Sequence, residues 1–464
     1  MNWTHHLIYI AFLFALGSCI GSFLNVVVWR WFNIPHADDE TLIQSFFVTL
    51  KGLSDPPSHC PKCDKLLKWY DNIPVLGWLK LGGKCRFCKA PISVRYPIVE
   101  FITGAMFAGY YIAFFICQIG PCAGVTAEGQ IIRPLLILSQ HWWIYALDMA
   151  LLSALLAASL IDIEQYRIPI EIPWLMVPIA LAMHAIFDHR GGPGNLAFGP
   201  IPLAMAMGAA IGTILSLILL HFGLLPRAFA DGAPLLEIDR QKLQEERDRE
   251  AAKQEKQADD KKKKKKNRKK DREAQMAALA PPPPAEDVER EWAPSEIRRE
   301  ISKEMLFLLL PMALAMLCAV LVMRVDSIGR RWEDLLRHQW IAMLLGSALG
   351  GLAGGFAVWL TRILGSILFG REAMGMGDVD LMVAIGAVLG PGPAIVVFFV
   401  LAPFLGLAYS LFGLIMRKKH ELPYGPYLSL GAALTILFYA PIAAYFAPGL
   451  SNAVFLLGRA VGGG

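Results

Sequence analysis

The stretch Gly375-Met376-Gly377-Asp378-Val379-Asp380 stands at the mouth of an apolar run, 381–416, that carries no charged residue. A carboxylate at the edge of such a run is costly unless it is protonated, paired or wet, which makes Asp378 a functional-site candidate. Asp380 lies two residues on, points to a different helix face and is expected as a flanking or exposed charge. A second acid stands in a similar place. Asp162 closes the apolar stretch 142–161, and Arg167 with Pro169 marks the helix exit. Two acids at membrane edges suggest an aspartyl dyad in an all-α polytopic membrane protein.

The rest of the chain has the same character. Hydrophobic residues make up 55% of it, charged residues 18%, and the mean hydropathy is +0.46. That is more apolar surface than a soluble core of 464 residues requires, so much of it must face lipid. Runs of about 20 apolar residues, the length that spans a bilayer, recur at 7–32, 98–119, 141–161, 172–187, 201–225, 305–323, 339–369, 381–390, 393–416 and 428–446, which predicts about ten transmembrane helices. The 381–390 piece is short. Gly390-Pro391-Gly392-Pro393 breaks it from its neighbour, so a half-length or tilted helix is expected there.

The net charge of +5 is concentrated in a few loops rather than spread over one face, which argues against a nucleic-acid partner. The basic stretches 30–95, 227–303 and Arg417-Lys418-Lys419 assign the cytosolic side, and with ten spans both Asp162 and Asp378 fall at cytosolic helix ends. One loop dissents: Arg324, Arg330, Arg331 and Arg337 face outward, diluted by Asp326, Glu333 and Asp334. The N-terminus lacks a basic n-region and a small-residue cleavage site, and is expected to remain as the first span.

Between the first two spans lie Cys60-Pro61-Lys62-Cys63 and Cys85-Arg86-Phe87-Cys88. Two CxxC pairs separated by 21 residues (64–84) can each bring two thiolates to one tetrahedral ion, although the spacing lies just past the usual zinc-ribbon range. A cytosolic placement disfavours the alternative of two disulfides. Cys60, Cys63, Cys85 and Cys88 are therefore expected to hold a structural zinc in a small zinc-ribbon-like domain. Cys19 and Cys318 read as helix packing, and Cys117 with Cys122 could pair at an outward helix end.

The expected organisation is a first transmembrane helix (1–32), the cytosolic tetracysteine domain (33–97), membrane helices with Asp162 (98–225), a charged cytosolic insertion (226–304) and membrane helices with Asp378 (305–464). The insertion holds the lysine run 261–266 and the proline run 281–284. Its composition cannot bury a core, and reads as a fluctuating charged helix and a stiff linker. The lysines suit anionic membrane lipid, at about 1 kcal/mol per basic residue. Three other acids have plainer roles. Asp148 stands about 21 Å along a helix from Asp162, near the opposite leaflet. Glu164 is expected toward the cytosolic headgroups, and Glu100 paired with a basic loop residue.

Taken together, these motifs make the chain resemble the prepilin peptidases, the type 4 prepilin leader peptidase and N-methyltransferase family of GxGD aspartic peptidases. The resemblance is carried by Gly21-Ser22-Phe23-Leu24-Asn25-Val26-Val27, by the block from Ser58-His59-Cys60-Pro61 through Trp69-Tyr70-Asp71-Asn72-Ile73-Pro74 to Arg95-Tyr96-Pro97, by Asp162 with Pro169, by the GxGD stretch at 375–381, and by Tyr424-Gly425-Pro426-Tyr427. It implies a multi-pass protein of the bacterial cytoplasmic (inner) membrane whose catalytic Asp162 and Asp378 remove the basic leader of type 4 prepilins or pseudopilins after a glycine, at the cytosolic face. It also implies methylation of the new N-terminus with S-adenosylmethionine. The chain departs from the family pattern in Ile170-Glu171, where Asp or Asn is usual, in Asp380, where Lys is common, and in the long separation of the two aspartates. Three other readings stay open: a peptidase without methyltransferase activity, a transporter using the two aspartates as a proton relay, and a zinc-ribbon adaptor that needs neither.

Overall fold

The computed structural model describes residues 3–31, 48, 51–52, 59–60, 62–122, 124–194, 196–228, 294–370, 372–415 and 423–462. The lysine and proline runs of the insertion, 261–266 and 281–284, lie outside these residues.

The long apolar runs form helices because a buried backbone in lipid must satisfy its own hydrogen bonds. They are α1 (Trp3–Trp31), α3 (Arg95–Tyr111), α4 (Leu138–Gln165), α5 (Glu171–Phe187), α6 (Pro200–His221), α7 (Pro294–Arg324), α9 (Gln339–Phe369), α10 (Met376–Leu389), α11 (Pro391–Val396), α12 (Ala402–Ile415) and α13 (Gly425–Gly462). A short α2 (Leu76–Lys80) precedes α3, α8 (Asp326–Leu336) follows α7, and a two-stranded hairpin pairs β1 (Gly124–Val125) with β2 (Ile131–Ile132).

Among the described residues, eight helices are long and apolar enough to cross a membrane, α11 and α12 counting as one because the π-helical turn Val397–Leu401 joins them, which makes the chain a multi-pass membrane protein. Ten were expected. The 172–187 run forms the 17-residue α5, at the lower limit of spanning length, and the 381–390 run belongs to the 14-residue α10. Local chemistry accounts for both lengths. Pro169 precedes α5, and α10 stops at Gly390, whose φ of 90° admits only glycine readily, before Pro391 opens α11. The α7 helix begins at Pro294, inside the stretch assigned to the insertion.

The described chain forms two compact units, one of Met1–Ser216, Leu309–Arg362 and Met374–Gly464, the other of Leu217–Leu308 and Ile363–Ala373. In the smaller unit, Lys303 pairs with Glu300 at 2.7 Å and the Ala373 N–H donates to Ser366 at 3.0 Å.

The larger unit is held by small residues that let helices meet at backbone distance, the usual means of association in lipid. A Cβ on Gly21 of α1 would lie 2.8 Å from Glu100 Cα on α3, and one on Gly104 would lie 2.8 Å from Phe14 O. Gly350 and Gly386 bring α9 and α10 together in the same way. The main apolar cluster then joins α3, α4, α10 and α13 through Tyr111, Leu151, Leu155, Leu381, Ile385 and Leu428. This packing fixes the ends of α4, α10 and α13, where the candidate site lies.

Candidate active site

Asp162 occupies the last turn of α4. That helix stops because Tyr166 adopts a left-handed φ of 54° and donates its N–H to Asp162 O at 2.8 Å. Asp378 occupies the first turn of α10 behind the extended cap Gly375. Both side chains are buried, at 5% and 8% exposure, and they stand within electrostatic reach of one another.

The two meet around a third helix end. The Gly425 N–H, first in α13, donates to Asp162 Oδ2 at 3.2 Å. Tyr424 stands within electrostatic reach of Asp378, and the Gly375 backbone faces that same carboxylate. Ile168 fills the space left by two glycines: a Cβ on Gly377 would lie 2.8 Å from its Cβ, and one on Gly425 would lie 3.2 Å from its Cδ1. One turn behind, the hydroxyls of Ser159 on α4 and Ser429 on α13 meet at 2.7 Å and lock these helices together. Buried Arg362 donates to Met374 O and stands within electrostatic reach of Asp378.

The remaining acids are accounted for. Asp380 accepts the Trp174 indole N–H at 2.9 Å, which joins α10 to α5. Asp148 is buried on α4, fourteen residues before Asp162. Glu164 does not face headgroups alone: it pairs with Arg95. Among the described residues Glu100 accepts the Val75 N–H at 2.7 Å rather than pairing with a basic loop residue, and so anchors a β-branched residue at φ 60°. Sequence reasoning assigned no role to Gly425, Ile168 or the Ser159–Ser429 pair. Gly425-Pro426 was the available signal, since Pro suits the start of a helix whose first N–H groups have no internal acceptor.

The four predicted thiols come together. The Sγ atoms of Cys60, Cys63, Cys85 and Cys88 lie within 4.8 Å of one another, and Cys60 Sγ is 3.8 Å from Cys88 Sγ. A tetrahedron with Zn–S bonds of about 2.3 Å has edges of about 3.8 Å, so this cluster fits zinc. The two knuckles repeat one turn. Asp64 and Lys89, each the residue after the second cysteine, take φ of 52° and 58° and return their N–H to Cys60 O at 2.8 Å and Cys85 O at 3.1 Å. Backbone N–H groups of Cys88 and Phe87 pull the Cys85 thiol down to about 6. Although the Lys65 N–H favours its thiolate, Cys63 is pushed up to about 11 by burial and the other sulfurs. A divalent cation removes that conflict. Beside the knuckles, Arg86 holds Asp71 through two nitrogens, and Trp78 Nε1 donates to Ile92 O at 3.1 Å. All eight cysteines are free of disulfides, Cys117 and Cys122 included.

Residues 15–114 match the model of the bacterial peptidase A24 N-terminal domain, and residues 298–411 match that of the type IV leader peptidase family. Asp378 lies inside the second match, while Asp162 lies outside both. A prepilin leader peptidase/N-methyltransferase of Myxococcus xanthus is 35% identical over 179 residues, 38% of this chain and 41% of that protein. A type 4 prepilin-like proteins leader peptide-processing enzyme of Escherichia coli is 36% identical over 157 residues, 33% of this chain and 48% of that protein. In both cases the chain spans less than half the relative's length. With a prepilin leader peptidase/N-methyltransferase of Klebsiella pneumoniae, identity is 31% over 215 residues, 44% of this chain and 85% of that protein. No solved structure matches the chain.

Proposed function

The chain belongs to the type IV leader peptidase family, and we propose that it is an aspartic endopeptidase that removes the leader of type 4 prepilins or pseudopilins, with Asp162 and Asp378 as its catalytic pair. The observation that carries this reading is the convergence of two buried carboxylates from distant segments to within electrostatic reach of one another, Asp162 being held by the Gly425 N–H.

In this mechanism the pair holds one proton. The ionised partner activates a water, which attacks the scissile carbonyl while the protonated partner donates to its oxygen. The proton belongs to the pair and is not assigned to either residue. Helix N-termini at Gly425 and Met376 present positive dipole ends to the site, which favours carboxylate charge there. A prepilin's apolar stem in the bilayer with its leader in the cytosol would bring the scissile bond to the depth of these helix ends, which we place at the cytosolic face of the bacterial inner membrane.

The tetracysteine site holds one structural zinc in this reading: the metal joins the two knuckles, and no step passes through it. The Myxococcus and Klebsiella relatives are named as N-methyltransferases as well as leader peptidases, so a second activity on the new N-terminal amine is proposed, with S-adenosylmethionine supplying an electrophilic methyl group. A proton relay for transport would also employ two buried acids, but the family match favours hydrolysis. Co-expression with a type 4 prepilin, followed by mass spectrometry of the pilin N-terminus, tests both activities at once. Loss of the leader is expected, with an added methyl group; an intact leader would overturn the proposal.

A further inference from the structure

The tetracysteine domain carries a surface that neither the metal nor the dyad uses. Three cations distant in sequence converge on one ring: Lys68 Nζ lies 5.7 Å, Lys80 Nζ 5.3 Å and Arg86 Cζ 5.1 Å from the centroid of Tyr70. Arg86 is engaged with Asp71. Among the described residues neither Lys68 nor Lys80 makes an ion pair within 4.0 Å; the single carboxylate of Asp71, already bound to Arg86, is the charge within electrostatic reach of both, so three cations share one acid. Over residues 62–89 there are seven basic residues and two acids, a formal 7 − 2 = +5. The count is the same over 59–94, which holds all four cysteines; a zinc tetrathiolate would contribute −2 and leave this segment at +3.

Apolar groups surround this charge. Trp69, between Lys68 and Tyr70, is 80% exposed, and Leu76 and Leu79 on the helix that ends in Lys80 are exposed as well. Their position is set by the Val75 N–H bond to Glu100, which holds the start of α2 against the second turn of α3, a membrane-spanning helix. Exposed Trp and Leu beside a cluster of cations in excess over acids, at the mouth of a span, is the composition of a surface that lies in the headgroup layer.

We propose that the Lys68–Tyr70–Lys80 face docks on anionic phospholipid, with the headgroup phosphate between the two ammonium groups and Trp69 and Leu79 in the interface. A basic peptide, such as the leader of the substrate proposed above, is repelled by this face. The inference rests on charge, exposure and the α3 anchor, and does not require the peptidase reading.

The test uses the full-length protein with photoreactive benzoylphenylalanine placed at Trp69. It is reconstituted in nanodiscs of phosphatidylcholine alone or of equal parts phosphatidylcholine and phosphatidylglycerol. Mass spectrometry after illumination identifies the adduct. Phosphatidylglycerol adducts are expected to dominate in the mixed bilayer. Lys68→Gln with Lys80→Gln should lower them about fivefold per lysine at low salt, with zinc content unchanged. Should the double variant lose zinc, each single variant is read in the same way. Adducts to polypeptide, equal yields in the two bilayers, or yields that ignore the lysine substitutions would each overturn the proposal.

Discussion

The Gly425 N–H donates to Asp162 Oδ2 at 3.2 Å across 263 positions of sequence, and a Cβ on Gly425 would stand 2.6 Å from that oxygen. The glycine is therefore both a donor to the carboxylate and the space into which the carboxylate fits.

Gly425→Ala should displace Asp162 without emptying any core. A displacement near 1 Å costs about 100-fold where reacting groups must be aligned. Leader cleavage in cells co-expressing a prepilin should fall by about that factor while membrane levels of the enzyme hold. Cleavage at the wild-type rate would show that the Asp162 position is not set by this contact.

Asp162→Asn and Asp378→Asn should each lower cleavage on the order of 1,000-fold, since either loss leaves the pair without its shared proton chemistry. Asp148→Asn, buried on the same helix as Asp162, should alter thermal stability and leave cleavage within severalfold of wild type. Activity in either of the first two variants close to that of the third would remove that aspartate from the mechanism.

One zinc per chain is expected by metal analysis, and Cys60→Ser with Cys63→Ser should abolish it. The metal supplies much of the folding free energy of so small a domain, so limited proteolysis should then cut within 59–94. Zinc content unchanged in the double variant would refute the assignment of the four cysteines.

Arg86 holds the Asp71 carboxyl below the usual carboxylate range. A depressed acid stabilises the fold fully above its unfolded value and loses that contribution as pH falls through the lower, folded value. Asp71→Asn lacks this titration. Zinc release on acidification should therefore begin at higher pH in Asp71→Asn than in the wild type. Coincident release curves would mean that the ion pair does not support the domain.

Much of this site was legible from residues alone. An acid beside an uninterrupted apolar run is informative because lipid tolerates so few of them, and this singled out Asp162 and Asp378. CxxC spacing is equally direct, since it reports which thiols can reach one ion. What could not be read was long-range register. Ile168 between Gly377 and Gly425, or Val75 against Glu100, depends on how helices cross, and no local pattern encodes that. Helix lengths failed for a related reason: hydropathy counts residues, whereas Pro169 and Gly390 decide where a helix starts and stops.

Arg95 closes the tetracysteine segment and pairs with Glu164, which follows Asp162 by two residues. With zinc at the four thiols and the aspartates as the proposed pair, a chelator is expected to behave as a slow inhibitor that substrate cannot displace, although it touches neither aspartate. Preparations extracted in EDTA would drift downward in specific activity on storage and recover on adding zinc, so that the metal present during purification becomes part of any rate measured afterwards.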